Sequence, residues 1–75
     1  MITRDQCRAA RALVQMSQVD LATAAGLSKQ TVIDFERGAR NPHKKNLMTI
    51  RTVLEAAGVE FIDPNGGGPG VRLRE

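Results

Sequence analysis

The chain has no tryptophan and no tyrosine, and its only aromatic side chains are Phe35 and Phe61. Single-stranded nucleic acid is held largely by aromatic faces that stack the bases. Their scarcity argues against such a platform and leaves duplex DNA as the better polyanion for a chain of net charge +3. One cysteine, Cys7, is present, which excludes an internal disulfide and a cysteine-based metal site and suits a reducing compartment. One histidine, His43, leaves no second imidazole for a metal site. No apolar run approaches the ~20 residues of a membrane span, and Arg4, Asp5 and Arg8 stand where a signal peptide has its apolar stretch. No membrane role is expected, and the expected location is the cytoplasm. At 75 residues the core of one compact domain contributes only about 3–5 kcal/mol unaided. A substrate pocket is hard to fit, and no paired acid and base, Cys/His couple or metal-ligand spacing is visible. An enzyme is not expected, and neither is a cofactor.

What the chain does have is a series of helix starts and stops. Thr3 with Gln6 three residues later is a capping box, followed by good helix formers that predict a helix from residue 4 to about 16. Its apolar stripe contains Cys7, read as a small packed hydrophobe. Ser17 with Asp20 opens a second helix over 18–25, which Gly26 ends by supplying left-handed backbone. Leu27 is expected in the core, and Ser28 caps a third helix running to Arg37, stopped by Gly38. Two helices joined across a glycine turn in this spacing form a helix-turn-helix. Pro42 bars helix in the loop 39–43, and a fourth helix is predicted from about 44 to 57 with Leu47, Ile50, Val53, Leu54 and Ala57 on one face. Beyond Gly58 the apolar period becomes two, giving short strands at 59–62 and 71–73 around a glycine-rich loop with no phosphate-cradle motif.

The predicted architecture is therefore mainly α, with four helices and a short C-terminal β-hairpin or a pair of strands that pair across a dimer. Residues 1–58 form the helical domain, and 59–75 form an extension that is not an independent domain. The alternation of Val59, Phe61, Val71 and Leu73 with Glu60, Ile62, Arg72 and Arg74 gives each strand one apolar face. A two-stranded ribbon is marginal alone. Val59, Phe61, Ile62, Val71 and Leu73 are accordingly the expected contacts with a second copy or a partner protein.

The run Ser17-Gln18-Val19-Asp20-Leu21-Ala22-Thr23-Ala24-Ala25-Gly26-Leu27-Ser28-Lys29-Gln30-Thr31-Val32-Ile33-Asp34-Phe35-Glu36-Arg37-Gly38 resembles the Cro/repressor-type (XRE-like) helix-turn-helix family. Ala22 stands where two helices cross closely, Gly26 at the turn, Val32 and Phe35 in the core of the third helix, and Glu36-Arg37-Gly38 at its end. The resemblance implies a lambda-repressor-like fold and a bacterial or phage-type transcriptional regulator, a homodimer on double-stranded DNA and associated with the nucleoid when bound. It also implies a structural pair between Arg11 and Glu36. Helix three would enter the major groove, with Lys29, Gln30 and Asp34 as base readers and Thr31 and Ile33 close by. Lysine suits guanine, glutamine pairs with adenine and a carboxylate accepts from cytosine N4; Asp34 is alternatively placed to pair with Arg37 at helical spacing.

Gln18 and Ser28, at helix N-termini, are expected phosphate contacts. So are Arg37, Arg40, Asn41, His43, Lys44 and Lys45. Between residues 29 and 45 five basic residues face two acidic ones, so the whole net charge lies in that window. A reading from another class keeps the same scaffold but gives it a regulatory protein to grip, as an antiactivator or antitoxin does.

Overall fold

The computed structural model describes residues 1–74; Glu75, the last residue of the expected extension, lies outside the described residues. The elements are α1 (Arg4–Leu13), α2 (Gln18–Ala25), α3 (Lys29–Glu36), α4 (Lys44–Ala56), β1 (Val59–Ile62) and β2 (Gly70–Leu73). Three helices start as their caps dictate. The Thr3 hydroxyl accepts from Gln6 N at 3.0 Å while Gln6 Oε1 accepts from Thr3 N at 2.8 Å. Ser17 and Asp20 make the same reciprocal pair, and Ser28 accepts from Thr31 N. The fourth start was not anticipated: His43, placed in the loop 39–43 and expected to contact phosphate, caps α4 with its Nδ1 accepting from Lys45 N at 3.2 Å.

The first helix is shorter than its apolar pattern suggests. It ends at Leu13, not near 16, because Gln15 adopts the left-handed conformation with φ +55°. Met16 N then donates to Arg11 O at 2.9 Å and Gln15 N to Ala12 O at 3.3 Å. The same paired closure ends α2, where Gly26 has φ +68° and Leu27 N donates to Ala22 O at 2.9 Å. This Schellman geometry normally takes glycine at the left-handed position, so a glutamine there gives no sequence signal. The ends of α3 and α4 fall one residue before the expected ones, at Glu36 and Ala56, within the ordinary fraying of helix termini.

One core joins all the elements. Ile2, Cys7, Ala10, Leu21, Ala22, Val32, Phe35, Ile50, Leu54, Val59 and Phe61 are buried in a single cluster, with Leu27, Leu47, Val53 and Val71 packed against it. Leu27 is half-buried at its margin. The strands pair with each other within the chain, antiparallel, in the register Val59 with Leu73, Glu60 with Arg72, Phe61 with Val71 and Ile62 with Gly70. Of the two arrangements expected, the ribbon takes the hairpin, and one expectation is corrected: Val59 and Phe61 lie inside the protomer's own core instead of facing a partner. A period of two identifies an apolar face but not what that face meets. Here α1 and α4 supply the cover. Val71 is half-buried on the same side, while Leu73 stays 50% exposed and Ile62 points to the other face. On that outer face Arg72 and Glu60 form an ion pair at 2.9 Å.

Gln6 ties this hairpin to α1. Its side chain is buried, with Oε1 engaged by the cap and Nε2 donating to Gly70 O at 3.0 Å and Ile62 O at 3.3 Å, the carbonyls of the last strand pair. One amide thereby satisfies the start of a helix and the end of a sheet, and stranding partly buried carbonyls costs about 1–3 kcal/mol. Gln6→Ala is expected to lower stability by that amount in urea denaturation. A loss below about 0.5 kcal/mol, the size of an ordinary surface substitution, would contradict the clamp.

Candidate nucleic-acid interface

Glu36, at the last position of α3, is only 2% exposed. A buried carboxylate is costly unless paired and hydrogen-bonded, and here every neighbouring element supplies a donor. Arg11 on α1 binds it in bidentate fashion, Nε to Oε2 at 2.7 Å and Nη2 to Oε1 at 2.6 Å, while its Nη1 donates to Met16 O at 3.0 Å. The Cys7 thiol donates to Oε2 at 3.1 Å, and Gln18 Nε2, at the start of α2, donates to Oε1 at 3.1 Å. Among the described residues no buried side-chain nitrogen or oxygen lacks a partner. Burial alone would raise the Glu36 pKa, but the hydrogen bonds from Arg11, Cys7 and Gln18 outweigh it and hold the carboxyl below its ordinary value. The Cys7 thiol moves the other way: burial first, then donation to the carboxylate, raises its pKa. It is a protonated structural donor, more than the small hydrophobe of the sequence reading, and it is not a nucleophile.

This network fixes α2 and α3 against α1 and so decides which face of α3 looks outward. Val32 and Phe35 face the core, and Lys29 and Gln30 lie on the exposed side. Thr31 is half-buried, its hydroxyl 2.8 Å from that of Ser28. Gln30 Nε2 donates to Asp34 Oδ1 at 2.8 Å, and Arg37 Nε donates to the same oxygen at 3.1 Å. Those two hydrogen bonds hold the Asp34 pKa below the usual carboxylate range. The bond with Arg37 is the alternative the spacing left open; the bond with Gln30 was missed, although a glutamine four residues before an aspartate is a recognised helical pair.

Ile33 is half-buried and lines a cleft with Arg8, Arg11, Ser17, Gln18, Glu36 and Arg37, between α1, the start of α2 and the end of α3. Gln18, expected to hold a phosphate through its amide, instead turns Nε2 inward to Glu36. Ser28 likewise directs its hydroxyl to its own helix, at Thr31. Arg37, Arg40, Asn41, His43, Lys44 and Lys45 are all exposed, along the loop and the first turn of α4. Gly38 has φ +79°, a left-handed backbone that favours glycine, and the flexible Arg4 guanidinium from the start of α1 lies over it. Among the described residues no group of three or more His, Cys, Asp or Glu side chains is arranged to hold a metal ion, and no helix is long and apolar enough to cross a membrane.

A helix-turn-helix family model matches residues 8–60. Among solved structures, the restriction-modification controller protein C.AhdI from Aeromonas hydrophila is similar at 33% identity and a TM-score of 0.67, over 69% of this chain and 79% of that one. The DNA-binding domain of the P22 C2 repressor is similar at 24% identity and a TM-score of 0.67, over 73% of this chain and 72% of that one, a likeness of fold. No curated protein matches.

Glu36 sets a pH dependence. Because its pKa is lower in the folded chain, it contributes stability that is fully present above the ordinary glutamate value of about 4.3 and is lost as pH falls through its folded value. Glu36→Gln is expected to melt well below wild type at pH 7 and to lose less on acidification to pH 3. Equal pH slopes for the two proteins would exclude Glu36 as the group responsible. Arg11→Ala leaves that carboxylate buried and unpaired, which costs about 3–5 kcal/mol for a fully buried pair. With Arg11 18% exposed, the lower end is expected in chemical denaturation.

Proposed function

The chain belongs to the Cro/repressor-type helix-turn-helix family, and from that premise we propose that it regulates transcription by binding a specific duplex sequence as a homodimer, with α3 in the major groove. The observation that carries this reading is the outward face of α3. Lys29 and Gln30 are exposed on a helix whose other side is locked into the core, beside the basic segment from Arg37 to Lys45. A helix with such side chains near its N-terminus reads base edges, while the flanking cations fix register through phosphates. Lys29 suits the O6 and N7 acceptors of guanine, and Gln30 the adenine edge.

Arg37, Arg40, Lys44 and Lys45 form the phosphate shoulder, with Asn41 and His43 between them. At the start of α2, phosphate contact rests on backbone N–H groups and on Arg8 and Arg37 at the rim of the cleft, since the Gln18 amide faces Glu36. Ser28 contributes through the backbone at the start of α3, and Ile33 supplies an apolar wall. Such a protein acts in the cytoplasm, at the nucleoid.

Selection of bound duplexes from a random pool tests the reading. Lys29→Ala and Gln30→Ala are each expected to cost about 1–3 kcal/mol at one base pair and to relax the preference there. Lys44→Ala should weaken all sequences alike and reduce the slope of log affinity against log salt by about 1. Unchanged base preference in both α3 variants would remove α3 from the groove.

With Val59 and Phe61 inside the protomer, the homodimer contact falls to Leu73, half exposed, with the half-buried Val71 two residues away on the same face, while Ile62 lies on the opposite face of the hairpin. Leu73→Glu is expected to convert dimer to monomer in sedimentation equilibrium and to weaken operator binding by at least about tenfold, the loss typical of a halved site. A variant that remains dimeric would place the interface elsewhere, and monomerisation by Met48→Glu, on the exposed side of α4, would locate it there.

A further inference from the structure

We propose that Asp34 is a positioning residue that fixes which edge of the Gln30 amide faces the DNA, and so selects the bases that Gln30 accepts; the inference rests on α3 lying in the major groove. Residues 30, 34 and 37 share one face of α3 and its cap. On that face a single carboxylate oxygen, Asp34 Oδ1, takes Gln30 Nε2 at 2.8 Å and Arg37 Nε at 3.1 Å. An ionised carboxylate only accepts hydrogen bonds, whereas a glutamine amide has a donor edge and an acceptor edge. Nε2 must therefore turn toward Asp34, and Oε1 must turn away from it. A glutamine without such a neighbour presents either edge.

The consequence lies in the donor and acceptor code of the major groove. Adenine and cytosine offer exocyclic N–H groups there, and guanine and thymine offer O6 and O4 acceptors. An outward Oε1 accepts from adenine N6 or cytosine N4 and is repelled by guanine O6 and thymine O4. The second hydrogen on Nε2 remains for adenine N7, which makes adenine the preferred base. Asp34 thus acts through Gln30 and not by contacting cytosine itself. Arg37 serves the same cluster: its guanidinium neutralises the carboxylate, which stays ionised at neutral pH, and an acid on the DNA-facing helix is kept from repelling phosphate.

The test is an affinity panel at fixed salt, using the best duplex selected by wild type and its three alternatives at each position. Wild type, Asp34→Ala, Gln30→Ala and the double variant are compared, with thermal melts to show that all are folded. If wild type selects no duplex over random sequence, the regulator reading fails. If it does select one, the position where Gln30→Ala flattens the preference belongs to Gln30. There wild type is expected to favour adenine over guanine by about tenfold or more, within the range for one bidentate pair. Asp34→Ala should bring the two within about threefold, leaving other positions unchanged, and the double variant should match Gln30→Ala at that position. Three results would overturn the proposal: an Asp34→Ala variant that shifts affinity for all four bases equally, one that loses preference at a different base pair while Gln30's stays intact, or a Gln30→Ala variant that flattens no position.

Discussion

The fold depends on one carboxylate. Glu36 ends α3, yet its oxygens are bonded by Arg11 and Cys7 from α1 and by Gln18 from α2, so three helices meet at a single buried charge. For a chain of this size the cost of breaking such a pair is comparable to everything its core contributes. The apolar cluster could tolerate small rotations of α3, because dispersion contacts are non-directional. A bidentate guanidinium fork does not. Hydrophobic burial brings the helices together, and the charge network sets the angle at which the outward face of α3 is offered.

Much of this was legible in the residues because local chemistry specified it. The caps at Thr3, Ser17 and Ser28 and the glycine at position 26 act within a few residues of themselves, so element starts and the helix-turn-helix could be read directly. What escaped was long-range or used an uncommon residue. Gln15 takes a conformation usually left to glycine, and His43 caps a helix where serine or aspartate is the usual choice. The burial of Val59 and Phe61 depends on α1 and α4 lying over the hairpin, which no period in the strands can reveal.

The site was legible to a different degree. Positions 29, 30 and 34 follow from the motif, but the hydrogen bonds among their side chains do not. Gln18 and Asp34 both have chemistry suited to DNA and both are engaged by side chains of the same chain. Glutamine is the recurrent agent: Gln6 joins helix to hairpin, Gln18 joins α2 to the Glu36 carboxylate, and Gln30 meets Asp34. A side chain that donates and accepts at once links elements whose unmet groups differ in kind. Composition does not flag it, because a glutamine reads as a neutral surface residue until its neighbours are known.

The brevity of α2 and α3, eight residues each, bears on whether the helix pair is portable. Isolated helices shorter than about 12–15 residues are marginal in water, and neither of these has a strongly apolar face of its own. Their shape is borrowed from α1, α4 and the hairpin. A synthetic peptide covering residues 17–38 would hold every side chain on the outward face of α3 and none of the geometry. Moving the outward face of α3 onto another protein therefore means transplanting individual side chains onto a host that already holds two crossed helices, not moving the segment itself.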